Sequence, residues 1–236
     1  LRGRTDELAA LELAGKYADG LTRALALAAE AKLTGWPPID AQALFWLATF
    51  QSRTGDAKAS EVTFEHAMKR AAEARDDGLF LRAGKARVYV LGYELARHDE
   101  ALQLGEVLDP LVTRAGEDPA ARAALLDRVG VVLWAQGKFT EAADHFERAL
   151  PLYQQALGPD HPEVASLHTT LGNVLADQGR HDEAREQYDQ ALEITERTLG
   201  AQHPDAARVR ANLGTVLMDQ GKFGEAQTSL ETALAI

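Results

Sequence analysis

Cysteine is absent from this 236-residue chain. Its absence excludes disulfides and thiolate metal sites and fits a reducing compartment. Aromatic residues are sparse, 6% against 46% apolar residues in all, and the apolar material is mostly alanine and leucine. That mix suits close helix–helix packing better than strands, which favour β-branched and aromatic side chains. No apolar run approaches the roughly 18 residues needed to cross a bilayer, and no signal-peptide pattern opens the chain. The expectation is a soluble, cytoplasmic protein with no membrane partner. Positive charge is also short: 25 Lys and Arg against 36 Asp and Glu give a net charge of −11. This balance argues against nucleic acid, whose backbone requires clustered cations. The acidic surplus reads as a solvated surface or, more sharply, as a preference for basic partners.

Catalytic signatures are missing as well. There is no nucleophile–base pairing, no Gly-rich phosphate loop and no His-x-x-x-His motif. Of the seven histidines, His161 and His203 repeat because the loop around them repeats, one unit apart, so they do not converge on a metal. His168 and His181 read as surface or packing residues, and Asp76–Asp77 beside Gly78 as a turn. No enzyme activity, cofactor or metal is expected. Phe45, Trp46 and Phe50 lie at helical spacing and read as core, with Trp46 able to reach a groove or an interface.

What the chain does contain is a repeat. "QGKFTEA" from Gln136, "QGRHDEA" from Gln178 and "QGKFGEA" from Gln220 stand 42 residues apart, a period diagnostic of stacked helical units. From His161 and from His203, 15 of 34 aligned positions are identical. The same frame runs backwards through Ala96, Gly55 and Gly15, so that six units follow at spacings of 40, 41, 41, 42 and 42 residues. Their approximate bounds are 1–34, 35–76, 77–117, 118–159, 160–201 and 202–236, in one array. Each unit reads as two helices separated by a turn whose glycine permits a left-handed backbone. Pro162 and Pro204 suit a first helical turn, with Glu163 and Asp205 complementing the helix dipole. Pro110 and Pro151, each fourteen residues after the turn position, are expected to kink or end their helices. The stretch "TGWPPID" from Thr34 separates the first two units.

The pattern resembles the tetratricopeptide repeat, in the 42-residue variety of kinesin light chains and many bacterial signalling proteins. Gly130, Gly172 and Gly214 occupy the small position of the first (A) helix. In the second (B) helix Ala142, Ala184 and Ala226 take the early small position, Phe146, Tyr188 and Leu230 the bulky one, and Ala149, Ala191 and Ala233 a further small one. Small residues let two helices approach, and the bulky one is expected to fill the wedge between neighbouring units. Ala96 in place of the turn glycine, and Gly105 where a bulky residue is usual, depart from the pattern.

The resemblance implies an all-α, right-handed superhelix of six antiparallel helix pairs. It further implies a protein–protein interaction module that binds a protein or peptide segment in the concave groove formed by successive A helices. Carried onto this sequence, the groove positions are Asp127, Arg128 and Val131; then Ser166, Thr169, Thr170, Asn173 and Asp177; then Arg208, Asn212, Thr215 and Asp219. Asn173 and Asn212 are the foremost candidates, taken as recurring in register, because an amide can pair with a peptide backbone as both donor and acceptor. Thr169 stands where binding of a terminal carboxylate requires lysine, which excludes that activity. The alternatives are a peptide sensor that changes superhelical pitch to control an output domain, and weak self-association through the repeat ends. The chain begins at Leu1 and stops at Ile236 with an apolar helix face and no polar cap. By analogy it is a piece of a larger bacterial signalling protein such as a serine/threonine kinase.

Overall fold

A computed structural model of the chain describes residues 2–114 and 118–236. Among the described residues every regular element is helical and there is no strand. Two compact units form, Leu1–Glu117 and Asp118–Ile236. The first holds α1 (Arg2–Leu13), α2 (Tyr17–Thr34), α3 (Pro37–Arg53), α4 (Ala57–Glu73), α5 (Asp77–Tyr89), a π turn (Val90–Glu94) and α6 (His98–Arg114). The second holds α7 (Pro119–Ala135), α8 (Phe139–Leu157), α9 (Pro162–Asp177), α10 (His181–Leu199), α11 (Pro204–Asp219) and α12 (Phe223–Leu234). Odd-numbered helices are the A helices and even-numbered ones the B helices of six hairpins.

Sequence-local chemistry sets the boundaries. At Gly137, Gly179 and Gly221 φ is 74°, 75° and 74°. The amide after each glycine reaches back to a carbonyl five residues earlier: Lys138 to Leu133, Arg180 to Leu175 and Lys222 to Leu217, all at 2.9 Å. This left-handed closure satisfies carbonyls that the helix end would otherwise leave open. Asp56, Asp76 and Asp118 cap the starts of α4, α5 and α7 by accepting from backbone N–H groups. His161 and His203 do the same for α9 and α11, each imidazole Nδ1 accepting from the amide two residues on at 3.2 Å. The recurrence of these two histidines is therefore a recurrence of helix caps.

Neither internal proline ends its helix. Pro110 lies within α6 and Pro151 within α8. Both prolines are exposed, as are Glu106 and Glu147 four residues before them. The carbonyls deprived of a partner thus lie on the solvated face, where water can satisfy them.

Each hairpin of the second unit closes a glycine against a bulky side chain. A Cβ at Gly130 would stand 2.7 Å from Phe146, one at Gly172 2.7 Å from Tyr188, and one at Gly214 2.7 Å from Leu230. The bulky B-helix residue, expected in the wedge between units, lies against the glycine of its own hairpin. Between hairpins the reverse arrangement also occurs: Gly20 of α2 faces Phe50 of α3. The third hairpin solves its two departures locally. Leu108 fills against Gly84 in place of the bulky residue missing at Gly105, and the π turn lengthens the A helix to eighteen residues, 77–94. Ala96 adopts φ 53°, the same left-handed backbone as the glycines. That conformation crowds Cβ against the following carbonyl. Ala96→Gly is expected to stabilise the protein by about 1 kcal/mol, read as a rise in the urea midpoint at unchanged slope.

Candidate partner-binding face

Within each unit successive A helices touch along one side, α1 with α3 with α5, and α9 with α11. A recurring bond marks that side. The residue three before the turn in one A helix pairs with the residue two before the turn in the next. Glu12 accepts from Arg53 (2.6 and 3.1 Å), Ser52 Oγ donates to Glu94 (2.6 Å), and Trp134 Nε1 donates to Asp177 (2.6 Å). These side chains identify which face of each A helix is shared with its neighbour.

In the second unit the sequence-predicted residues divide. Asp177, Arg208, Thr215 and Asp219 are exposed, and Asp127, Arg128, Val131, Thr170, Asn173 and Asn212 are half-buried. Ser166 is exposed and lies with Thr195, Asp205 and Arg208 around a cleft of about 220 Å³. Thr169 is buried. It is only 2% exposed, and its hydroxyl donates to the Ala165 carbonyl, so it packs at the base of the cleft and presents little surface.

Asn173 and Asn212 are 39 residues apart, three short of the repeat, and are not equivalent positions; their counterparts are Thr215 and Thr170. The structure nevertheless brings them together. Asn173 Oδ1 accepts from Asn212 Nδ2 at 3.0 Å and from the Tyr188 hydroxyl at 2.8 Å. That oxygen is occupied, which among the described residues leaves both Asn173 N–H donors, the second Asn212 N–H and the Asn212 carbonyl oxygen open.

Sequence reasoning passed over Trp134 and Met218. With Ala176 they occupy the position three before each turn, giving the face an apolar row in which Met218 is 49% exposed. Attention to that single register position would have found them. Trp46, by contrast, packs against the core around Phe50.

Two electrostatic features stand out. Burial raises the Asp127 carboxyl above the usual range, nearby Glu163 adds to the effect, and Arg128, 3.9 Å away, opposes it. Tyr153 is likewise raised by burial, and then by the Asp127 charge. His168 is 6% exposed and shares a 2.7 Å hydrogen bond with Gln187; burial holds its pKa below 6.5. The folded ring stays neutral while the unfolded chain takes up the proton first, so stability is lost as pH falls below about 6.5. His168→Leu, matching buried Leu126 one unit earlier, is expected to flatten that acid limb in melting temperatures measured from pH 7.5 to 5. Among the described residues no group of three or more His, Asp or Glu side chains is placed to hold a metal ion, and no helix is long and apolar enough to cross a membrane.

The family described as Tetratricopeptide repeat matches residues 121–175 and 163–236. No curated protein matches the chain. Among solved structures, BtubC (BKLC) from P. vanneervenii is similar at TM-score 0.80 and 22% identity, over 93% of this chain and 90% of that one. A putative kinesin light chain from Podosopora anserina with nearly identical TPR-like repeats reaches 0.69 at 20% identity, over 82% and 93%. A Rap protein complexed with competence and sporulation factor reaches 0.70 at 14% identity, over 98% and 73%. At such identities the likeness speaks for the fold alone. Residues 121–236 match the tetratricopeptide-repeat family, and the chain has the all-helical fold of solved proteins built from such repeats.

Proposed function

We propose that this chain is a protein-interaction module whose A-helix face in residues 118–236 holds an extended peptide or protein segment, as the scaffold or regulatory part of a larger signalling protein. The observation that carries this reading is the Asn173–Asn212 bridge. It fixes two amides across neighbouring A helices and leaves N–H donors on both and an acceptor on Asn212, the complement of a peptide unit. Trp134 and Met218 supply apolar contact beside it, and the exposed carboxylates Asp177 and Asp219 favour cationic side chains in the ligand. The fold is compatible with such a role, since the similar Rap protein was solved with competence and sporulation factor bound.

Selection of random peptides displayed against the intact chain tests the assignment. Asn212→Ala removes the free acceptor while the Tyr188–Asn173 bond remains. One lost hydrogen bond at about 0.5–1.5 kcal/mol corresponds to a weakening of about 2- to 12-fold, with the helical circular dichroism unchanged. Selected peptides that all bind this variant as tightly as the parent would reject the assignment.

A further inference from the structure

We propose that the cleft enclosed by α9, α10 and α11 binds the ammonium end of a small aliphatic amine. This stands apart from the peptide reading, since neither Asn173 nor Asn212 lines the cleft and the occupant is a free small molecule. The cleft holds about 220 Å³, the space of about seven waters at ~30 Å³ each. That is room for a short unbranched amine and too little for a length of peptide. Its walls come from the opening turns of α9 and α11 and the closing turns of α10.

What these walls offer is almost wholly acceptors. Glu163 is exposed and makes no ion pair among the described residues. Asp205 adds a second carboxylate, shared with Arg208 at 3.4 Å. The hydroxyls of Thr169, Thr195 and Thr198 donate to the carbonyls of Ala165, Ala191 and Ile194 at 2.9, 2.7 and 2.8 Å. Their hydrogens are spent, so each can offer an occupant only lone pairs. Thr169 and Thr195 are sealed at the base, whereas Thr198 is exposed. The opening amides of both A helices, which ordinarily attract anions, are spent too. The Glu163 N–H donates to the His161 imidazole, those of Val164 and Ala165 donate to the His161 carbonyl, and the arrangement repeats at His203. Donors remain on Arg208 and on Ser166, whose hydroxyl can turn to accept instead.

A cleft rich in acceptors and poor in donors calls for an occupant with N–H groups and positive charge. A primary ammonium supplies three donors and no acceptor. Glu163 and Thr198, exposed on the wall of one cleft, are the contacts assigned to it. Pro162, Ala165 and Leu199 give the aliphatic stem an apolar wall. The Glu163 charge is not neutralised by its surroundings, since it reaches Asp127 and helps to raise that carboxyl. Over residues 118–236, 10 Lys and Arg stand against 18 Asp and Glu, a field that gathers cations and repels anions.

Titration of the intact chain with n-pentylamine, followed by amide NMR, tests the site. Saturable shifts are expected at Ser166, Thr198 and Asp205. Glu163→Gln and Thr198→Val should each weaken binding by about threefold or more. Both side chains are exposed, so the circular dichroism should not change. The N-trimethyl counterpart of the amine keeps the charge but has no N–H, and should bind more weakly. Asn212→Ala should leave amine binding unchanged, so this assignment and the peptide assignment fail separately. Absence of saturable shifts at the cleft, equal binding of the trimethyl compound, or indifference to both substitutions overturns the proposal. Tighter binding of a lysine blocked at both backbone ends overturns it as well, because the cleft would then serve a protein side chain.

Discussion

Phe146→Ala should lower stability by about 3–5 kcal/mol, the range for removing a fully buried ring without collapse of the space it leaves. Phe146 is 0% exposed. Its ring lies on Gly130, close enough that a Cβ there would stand 2.7 Å from Cε1 and 2.9 Å from Cζ. Since the glycine was already the smallest residue possible, nothing on the A-helix side can move in to fill the vacancy. Urea denaturation followed by circular dichroism measures the loss. Phe146→Leu should recover much of it, because the last hairpin closes the same contact with Leu230 on Gly214. A loss under about 1 kcal/mol for the alanine variant would mean that the ring–glycine contact does not hold the hairpin together.

Gly20→Ala is the second substitution with a large expected effect, and two opposing terms decide its sign. Alanine favours a helix interior by about 1 kcal/mol over glycine. Against this, its Cβ would stand 2.1 Å from Phe50 Cε1 and 2.3 Å from Cζ. Phe50 is 0% exposed and enclosed by Leu27, Ala31, Ala43 and Leu47, so the ring has no room to retreat. Overpacking of this kind costs about 1–3 kcal/mol and occasionally more, so the variant should melt lower than the parent. Gly20→Ala combined with Phe50→Leu should be less destabilised than the sum of the two single changes, because the smaller side chain relieves the overlap. A higher melting temperature for Gly20→Ala alone would show that propensity outweighs packing and that the two helices are further apart than described.

The first prediction rests on residues whose importance the repeat frame announced, and it shows what that frame can and cannot tell. Gly130, Gly172 and Gly214 recur with Phe146, Tyr188 and Leu230 at fixed spacing, so the existence of a small–large contact was legible. Its location was not. Spacing along one chain gives the face of a helix but not whether that face looks towards its own hairpin partner or the next one, and the ring turned out to lie within the hairpin. Helix starts and stops were equally legible, because caps and left-handed turns are chosen by neighbours within four or five residues. The two internal prolines do not end their helices, for the complementary reason. Their cost depends on whether the freed carbonyl meets water, which is settled by which side of the finished helix is buried.

The binding face divides along the same line. Asp177, Thr215 and Asp219 could be placed by register. Thr169 could not, since its 2% exposure depends on how α9 packs against its neighbours. Asn173 and Asn212 were picked for the chemistry of their amides, and their distance of 39 residues gives no periodic reason for them to meet. They meet because neighbouring A helices lie side by side with an offset. The bond pattern of Glu12 with Arg53, Ser52 with Glu94 and Trp134 with Asp177 has the same origin. It is visible in the sequence only once one knows that the third residue before a turn faces the second residue before the next.

By itself, then, the order of residues determined the number of hairpins, their ends and which stripe of each helix is apolar, since each depends on contacts within one or two helical turns. Only the tertiary structure decided which polar groups share partners across A helices, which are sealed beneath a neighbouring helix, and which aromatic rings remain exposed. Those outcomes depend on the offset between packed helices, and close packing sets that offset collectively through side chains some forty residues apart.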